Sequence, residues 1–171
     1  MGVVIFISGI IFIYDPHIKR RIMELSKNFT LAELCKSQTA TRHNIINIPT
    51  EQDIINNLIA VSNNILQPIR DNYGIPFTPN SGYRSPELNQ LLKSKPTSQH
   101  CKGEAVDVEV PTISNLELAN WCSVNLNYDQ IILEFYKEGE PTSGWVHISY
   151  NLENNRKKYL TFDGRQYKEM K

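Results

Sequence analysis

Residues 98–110 read SQHCKGEAVDVEV, and the fold turns on how this stretch is understood. Val106, Val108 and Val110 alternate with other residues, the period-2 pattern of a strand that gives one face to a core. Asp107 sits in their midst. Aspartate is depleted in strands, and a buried carboxylate is costly unless it is paired or bound to a metal. Alternation sends the valines to one face and Ala105, Asp107 and Glu109 to the other. Gly103 allows a sharp turn just before the strand, which folds His100 back toward Asp107.

Residues 144–150, GWVHISY, repeat the pattern. Val146 and Ile148 share one face; Trp145, His147 and Ser149 share the other. His100, Asp107 and His147 therefore form a candidate ligand set of two imidazoles and one carboxylate. Three protein ligands leave a fourth position for water, which is the composition of a catalytic zinc site. A closed structural site more often uses four ligands, with cysteines prominent. Histidine and aspartate are common, so their spacing alone does not separate ligands from surface or core residues. Cys101 adjoins His100, but a Cys–His nucleophile would leave Asp107 unexplained.

Outward from these strands, the chain reads as helices followed by a mostly antiparallel sheet, an α+β order. Thr30-Leu-Ala-Glu33 is a capping box for a short helix over 31–37. Thr50, Glu51 and Asp53 open a long helix. Its core stripe is Ile54, Ile55, Leu58, Val61, Ile65, Leu66 and Ile69, and Pro68 should kink it near its end. Ser85 and Pro86 start a helix over 86–93, leaving Tyr83 and Arg84 at its entrance. Ser114-Asn-Leu-Glu117 opens another helix, to about Val124. DQIILEFY (129–136) and GWVHISY are buried strands joined by the loop KEGEPTS, and the tail turns as a hairpin at Asp163-Gly164.

The chain has 171 residues, enough for one domain with a real core. Lys plus Arg and Asp plus Glu are 18 each, which argues against a broad nucleic-acid surface. The three cysteines, Cys35, Cys101 and Cys122, show no Cys-x-x-Cys pair and no disulfide framework. Residues 1–14 carry no charged side chain, too short a run for a membrane span of about 20 residues. The basic cluster Lys19-Arg20-Arg21 follows the apolar run instead of preceding it, unlike a signal peptide. Residues 1–22 are read as an extension, either a weak membrane anchor or a start placed ahead of Met23. Residues 23–171 are read as a single domain, expected to be monomeric.

Ser98-x-His100-x-x-Gly103-x-Ala105-x-Asp107, followed by Trp145-Val-His147, resembles the zinc D-alanyl-D-alanine carboxypeptidase family. Relatives of that family include phage endolysins, vancomycin-resistance dipeptidases and the hedgehog signalling domain. SGYRSPELNQLL and DQIILEF also look like family segments, and the resemblance runs from about residue 27 to 155. It implies a hedgehog/D-Ala-D-Ala-peptidase-like fold with one zinc on the sheet, bound by His100, Asp107 and His147. It implies that Arg84 reaches into the cleft and stabilises a substrate carbonyl or carboxylate. The implied substrate is the peptidoglycan stem peptide, cut by a carboxypeptidase or an endolysin-type endopeptidase. Several relatives carry an acid three positions before the last histidine; here that position is Gly144. Glu134, at the end of Ile131-Ile-Leu-Glu134, is the substitute candidate for general base, with Glu109 next. Pairing with Arg84, or capping a turn, is the other reading of Glu134. The missing acid at 144 also leaves open a zinc-bearing wall-binding module without turnover.

Overall fold

The computed structural model describes residues 3–7, 10–14 and 23–170, the first two stretches as backbone only. These are β1 (Val3–Ile7) and β2 (Ile10–Tyr14), which pair antiparallel. The basic cluster at 19–21, on which the reading of residues 1–22 partly rests, lies outside the described residues. No helix among the described residues is long and apolar enough to cross a membrane.

The helical half begins with a short antiparallel pair, β3 (Glu24–Ser26) and β4 (Phe29–Thr30). The capping box at Thr30 is formed: its hydroxyl accepts from the Glu33 amide, and the Glu33 carboxylate accepts from the Thr30 amide at 2.8 Å. The helix it starts, α1 (Leu31–Leu34), is shorter than the expected 31–37. Ser37 offers a fresh N-cap, accepting from the Ala40 amide, and starts α2 (Gln38–Arg42). The long helix also divides. α3 (Gln52–Val61) passes through a π-turn at Ser62–Leu66 into α4 (Gln67–Tyr73). The irregularity therefore precedes Pro68. Proline lacks the N–H and its ring would clash with the carbonyl four residues back. A wider turn just upstream accommodates both deficits. The stripe from Ile55 to Ile69 is buried as expected, and Ile54 packs at its margin.

α5 (Pro86–Leu91) is capped by Ser85, and α6 (Asn115–Asn125) by Ser114. β5 (Ala105–Val108), β6 (Gln130–Glu134), β7 (Trp145–Ser149), β8 (Lys158–Phe162) and β9 (Tyr167–Glu169) form a sheet of order β5-β7-β6-β8-β9. All its pairings are antiparallel except β6 with β8. β7 ends beside the start of β6, so the chain crosses that end and runs along β6's free edge in the same direction. The result is the expected α+β fold, a mostly antiparallel sheet with helices.

One face of the sheet is core. Val106, Val108, Ile131, Leu133, Val146 and Ile148 are all essentially inaccessible. Each such side chain contributes about 1.5–3 kcal/mol by leaving water. The opposite face, with Asp107, Ile132, Glu134, Trp145 and His147, floors an open cleft of about 1330 Å³. The period-2 pattern thus separates stability from chemistry, strand by strand.

Candidate active site

His100 lies in a 3-10 turn, Gln99–Lys102, that ends at Gly103 with φ +72°. A side chain at 103 would be strained, and its Cβ would stand 2.7 Å from the Ile54 carbonyl oxygen. The turn buries the His100 ring and aims it at the sheet. On the other side, residues 80–84 run along the edge of β5: the Asp107 amide donates to the Ser81 carbonyl at 2.8 Å. Gly82 packs so closely on Leu34 that a Cβ would come within 2.4 Å of its carbonyl oxygen. This places the Gly82 carbonyl 2.7 Å from Nδ1 of His100. Nδ1 must then carry the proton, which leaves Nε2 as a lone-pair donor facing the cleft.

Asp107 and His147 are register partners across β5 and β7. Oδ1 of Asp107 lies 2.9 Å from Nδ1 of His147 and 3.3 Å from Nε2 of His100. The two imidazole nitrogens are 3.2 Å apart. The three atoms converge on one point, all within 4.8 Å of one another, and all three residues are buried. The carboxylate is divided: Oδ1 faces the histidines, while Oδ2 accepts from Nη2 of Arg84 at 2.7 Å. Nε of Arg84 donates to Ser81 Oγ at 3.0 Å.

The donor chemistry fits a divalent cation. With Nδ1 of His100 protonated toward Gly82, only one proton, on His147 Nδ1, separates a carboxylate oxygen from two ring nitrogens. Two neutral imidazoles and a carboxylate in a buried site are a zinc-type ligand set once that proton is replaced. The directions in which His100 and Asp107 are shifted agree with that set. Burial pushes the His100 pKa down, and His147 and Arg84 oppose its charge further, against the pull of Asp107. Burial alone would raise the Asp107 carboxyl; the charges and hydrogen bonds of His100 and His147 outweigh it and hold the group well below the usual carboxylate range.

Glu134 stands opposite Trp145 at the end of β6, on the cleft face and half-buried. Burial raises its pKa; nearby Asp107 adds to the rise, while His147 and Arg84 moderate it. Among the described residues Glu134 has no ion-pair or side-chain hydrogen-bond partner. Arg84 pairs with Asp107, so the reading in which Glu134 holds Arg84 is corrected. Glu109 is bonded by the Asn80 side chain and lines a separate hollow, away from the cleft. Cys101 does not line the cleft either, and burial pushes its thiol up, away from the reactive thiolate.

Gly144 has a backbone reason to lack an acid. Its φ is +67°, and a Cβ there would lie 1.8 Å from the Glu134 carbonyl oxygen. No side chain fits, and the chain packing against it is the residue that carries the free carboxylate.

One group escaped the sequence reading. Asp129, 2% exposed, binds Arg156 through a two-pronged pair, and accepts from Gln99 Nε2 at 2.9 Å. It ties the crossover before β8 to the turn bearing His100. The signal available was an aspartate opening an apolar strand, but its partner lies 27 residues away.

No curated protein matches the chain. A profile of the family described as Peptidase M15 matches residues 27–149, which contain Arg84, His100, Asp107, Glu134 and His147. The matched segment runs from before β4 to the end of β7 and so includes all three converging residues, and the chain belongs to the peptidase M15 family, whose members are metallopeptidases.

Proposed function

We propose that this protein is a zinc-dependent peptidase that hydrolyses the stem peptides of bacterial peptidoglycan. The observation that carries the reading is the convergence of three buried ligand atoms on one point, in a cleft that also presents Glu134 and Arg84. His100, Asp107 and His147 would hold the metal. When bound, zinc lowers the pKa of its water and polarises the scissile carbonyl.

The chain's own residues supply the rest. Glu134 takes the proton from the attacking water and returns it to the leaving amine; burial raises its pKa, the direction a general base requires. Arg84 has Nε and Nη2 fixed by Ser81 and Asp107, which orients the guanidinium at the cleft wall. Its remaining donors face the developing oxyanion or a substrate carboxylate. The Gly82 carbonyl holds the His100 ring. The binding-module reading rested on the absent acid at 144, and Glu134 supplies a carboxylate from the neighbouring strand.

Arg84→Lys should fold and retain zinc while turnover falls by roughly 100-fold, the usual loss for one oxyanion donor. A point charge does not reproduce the fork. Melting temperature, zinc content and rate, measured together, check this; loss of the fold would make Arg84 a structural ion pair. For the function itself, purified muropeptides should be cleaved by zinc-loaded protein, and a chelator should abolish cleavage until zinc is restored. Chelator-insensitive cleavage, or none with zinc bound, contradicts the proposal.

A further inference from the structure

We infer that Arg156 anchors a substrate carboxylate, so that the cleft contains a subsite for an anionic peptide group away from the metal ligands. This rests on the peptidase reading and deepens it. Arg156 lies in the crossover between β7 and β8, C-terminal to the segment that the family profile matches. It lines the same cleft as His147 and Glu134, and its side chain is 46% exposed. The buried Asp129 accepts from its Nε at 2.7 Å, from its Nη2 and from its backbone amide at 3.1 Å. One edge of the guanidinium is thus locked. Among the described residues no hydrogen bond is made by Nη1, so the other edge is available to a second carboxylate. Arginine suits that task because its planar fork binds carboxylates in pairs of parallel hydrogen bonds.

The surroundings favour an anion. Lys158 and Lys102 line the same end of the cleft. Two carboxylates share that end: Asp129, bound by Arg156 and Gln99, and Glu104, which accepts from the Asn151 amide and whose charge also acts on Arg156, so the three cations Arg156, Lys158 and Lys102 exceed the carboxylates by one. At the opposite end of β6 stands Glu134, so the cleft is polarised along the strand. Asp129 precedes Ile132, the register partner of His147, by three residues, which is ~10 Å of strand. A peptide laid along the sheet would therefore meet Arg156 two or three residues from its scissile bond. The substrate class is an acidic peptide with a free carboxylate at that distance.

The test compares two forms of one wall stem peptide: internal carboxyl groups free, or converted to carboxamides, with the terminus left free in both. Zinc-loaded wild type should prefer the free form by about 10-fold or more in kcat/KM, mostly through KM, since a charge-assisted pair is lost on amidation. Arg156→Gln should reduce that preference to less than about threefold. If the single variant does not fold because Asp129 is left unpaired, Asp129→Asn with Arg156→Gln removes the buried charge as well and should show the same loss. Equal cleavage of both forms by wild type, or a preference that survives in the variants, overturns the inference while leaving the peptidase reading standing. Cleavage of neither form by zinc-loaded wild type overturns both.

Discussion

Glu134→Gln is expected to lower turnover of a wall peptide by roughly 100-fold or more, the usual worth of a positioned general base. Glutamine preserves the volume and cannot accept the proton. Zinc content should match wild type, because Glu134 is not among the three converging ligand atoms. The pH profile provides a second readout. The base works only when ionised, and burial raises its pKa above the ordinary glutamate range. The wild-type rate should therefore fall as pH drops through that raised value, and this acidic limb should vanish in the variant. Stability has the opposite sign. A folded-state pKa above the unfolded one means that folding favours the protonated form, so the stabilising contribution is lost as pH rises through it. Removing the ionisable group should leave the melting temperature at neutral pH equal to or above that of wild type. An unchanged rate with zinc retained would remove Glu134 from the mechanism.

Loss of a ligand should be still more damaging. His147→Ala deletes one of three donors and leaves Asp107 Oδ1 without its 2.9 Å partner. Zinc occupancy should fall from about one per chain to near zero at micromolar protein, and turnover should fall below detection. The fold should survive, because His147 lies on the cleft face while Val146 and Ile148 on either side remain in the core. Metal analysis after gel filtration, paired with circular dichroism, checks both halves. Full occupancy in the folded variant would refute the ligand assignment.

Much of this arrangement was legible because strands alternate strictly. Asp107 amid valines and His147 between Val146 and Ile148 could face only one way once the apolar residues claimed the core. Their direct pairing, and the edge contact with residues 80–84, needed the strand order, which period-2 patterns do not encode. The capping motifs at Thr30, Ser85 and Ser114 marked true helix starts, since each is a local interaction between near neighbours. The π-turn before Pro68 was hidden because a proline declares that a helix must adjust but not where. Gly144 was misleading for a related reason. Read as a missing acid, it is a close approach between a hairpin and the Glu134 carbonyl. Asp129 and Arg156 meet only because the chain crosses from β7 to the far edge of β6, a tertiary event without a local signature.

The most direct test is mass spectrometry of purified peptidoglycan digested by zinc-loaded protein, with His147→Ala as the control. New fragments should correspond to hydrolysis of one peptide bond in the stem, a mass gain of one water per cut, and should be absent with the variant or with chelator. Terminal D-alanine release would identify a carboxypeptidase; larger stem fragments would identify an endopeptidase. An unchanged muropeptide profile from wild-type protein carrying one zinc per chain, or identical fragments from His147→Ala, would contradict a peptidase built on His100, Asp107 and His147.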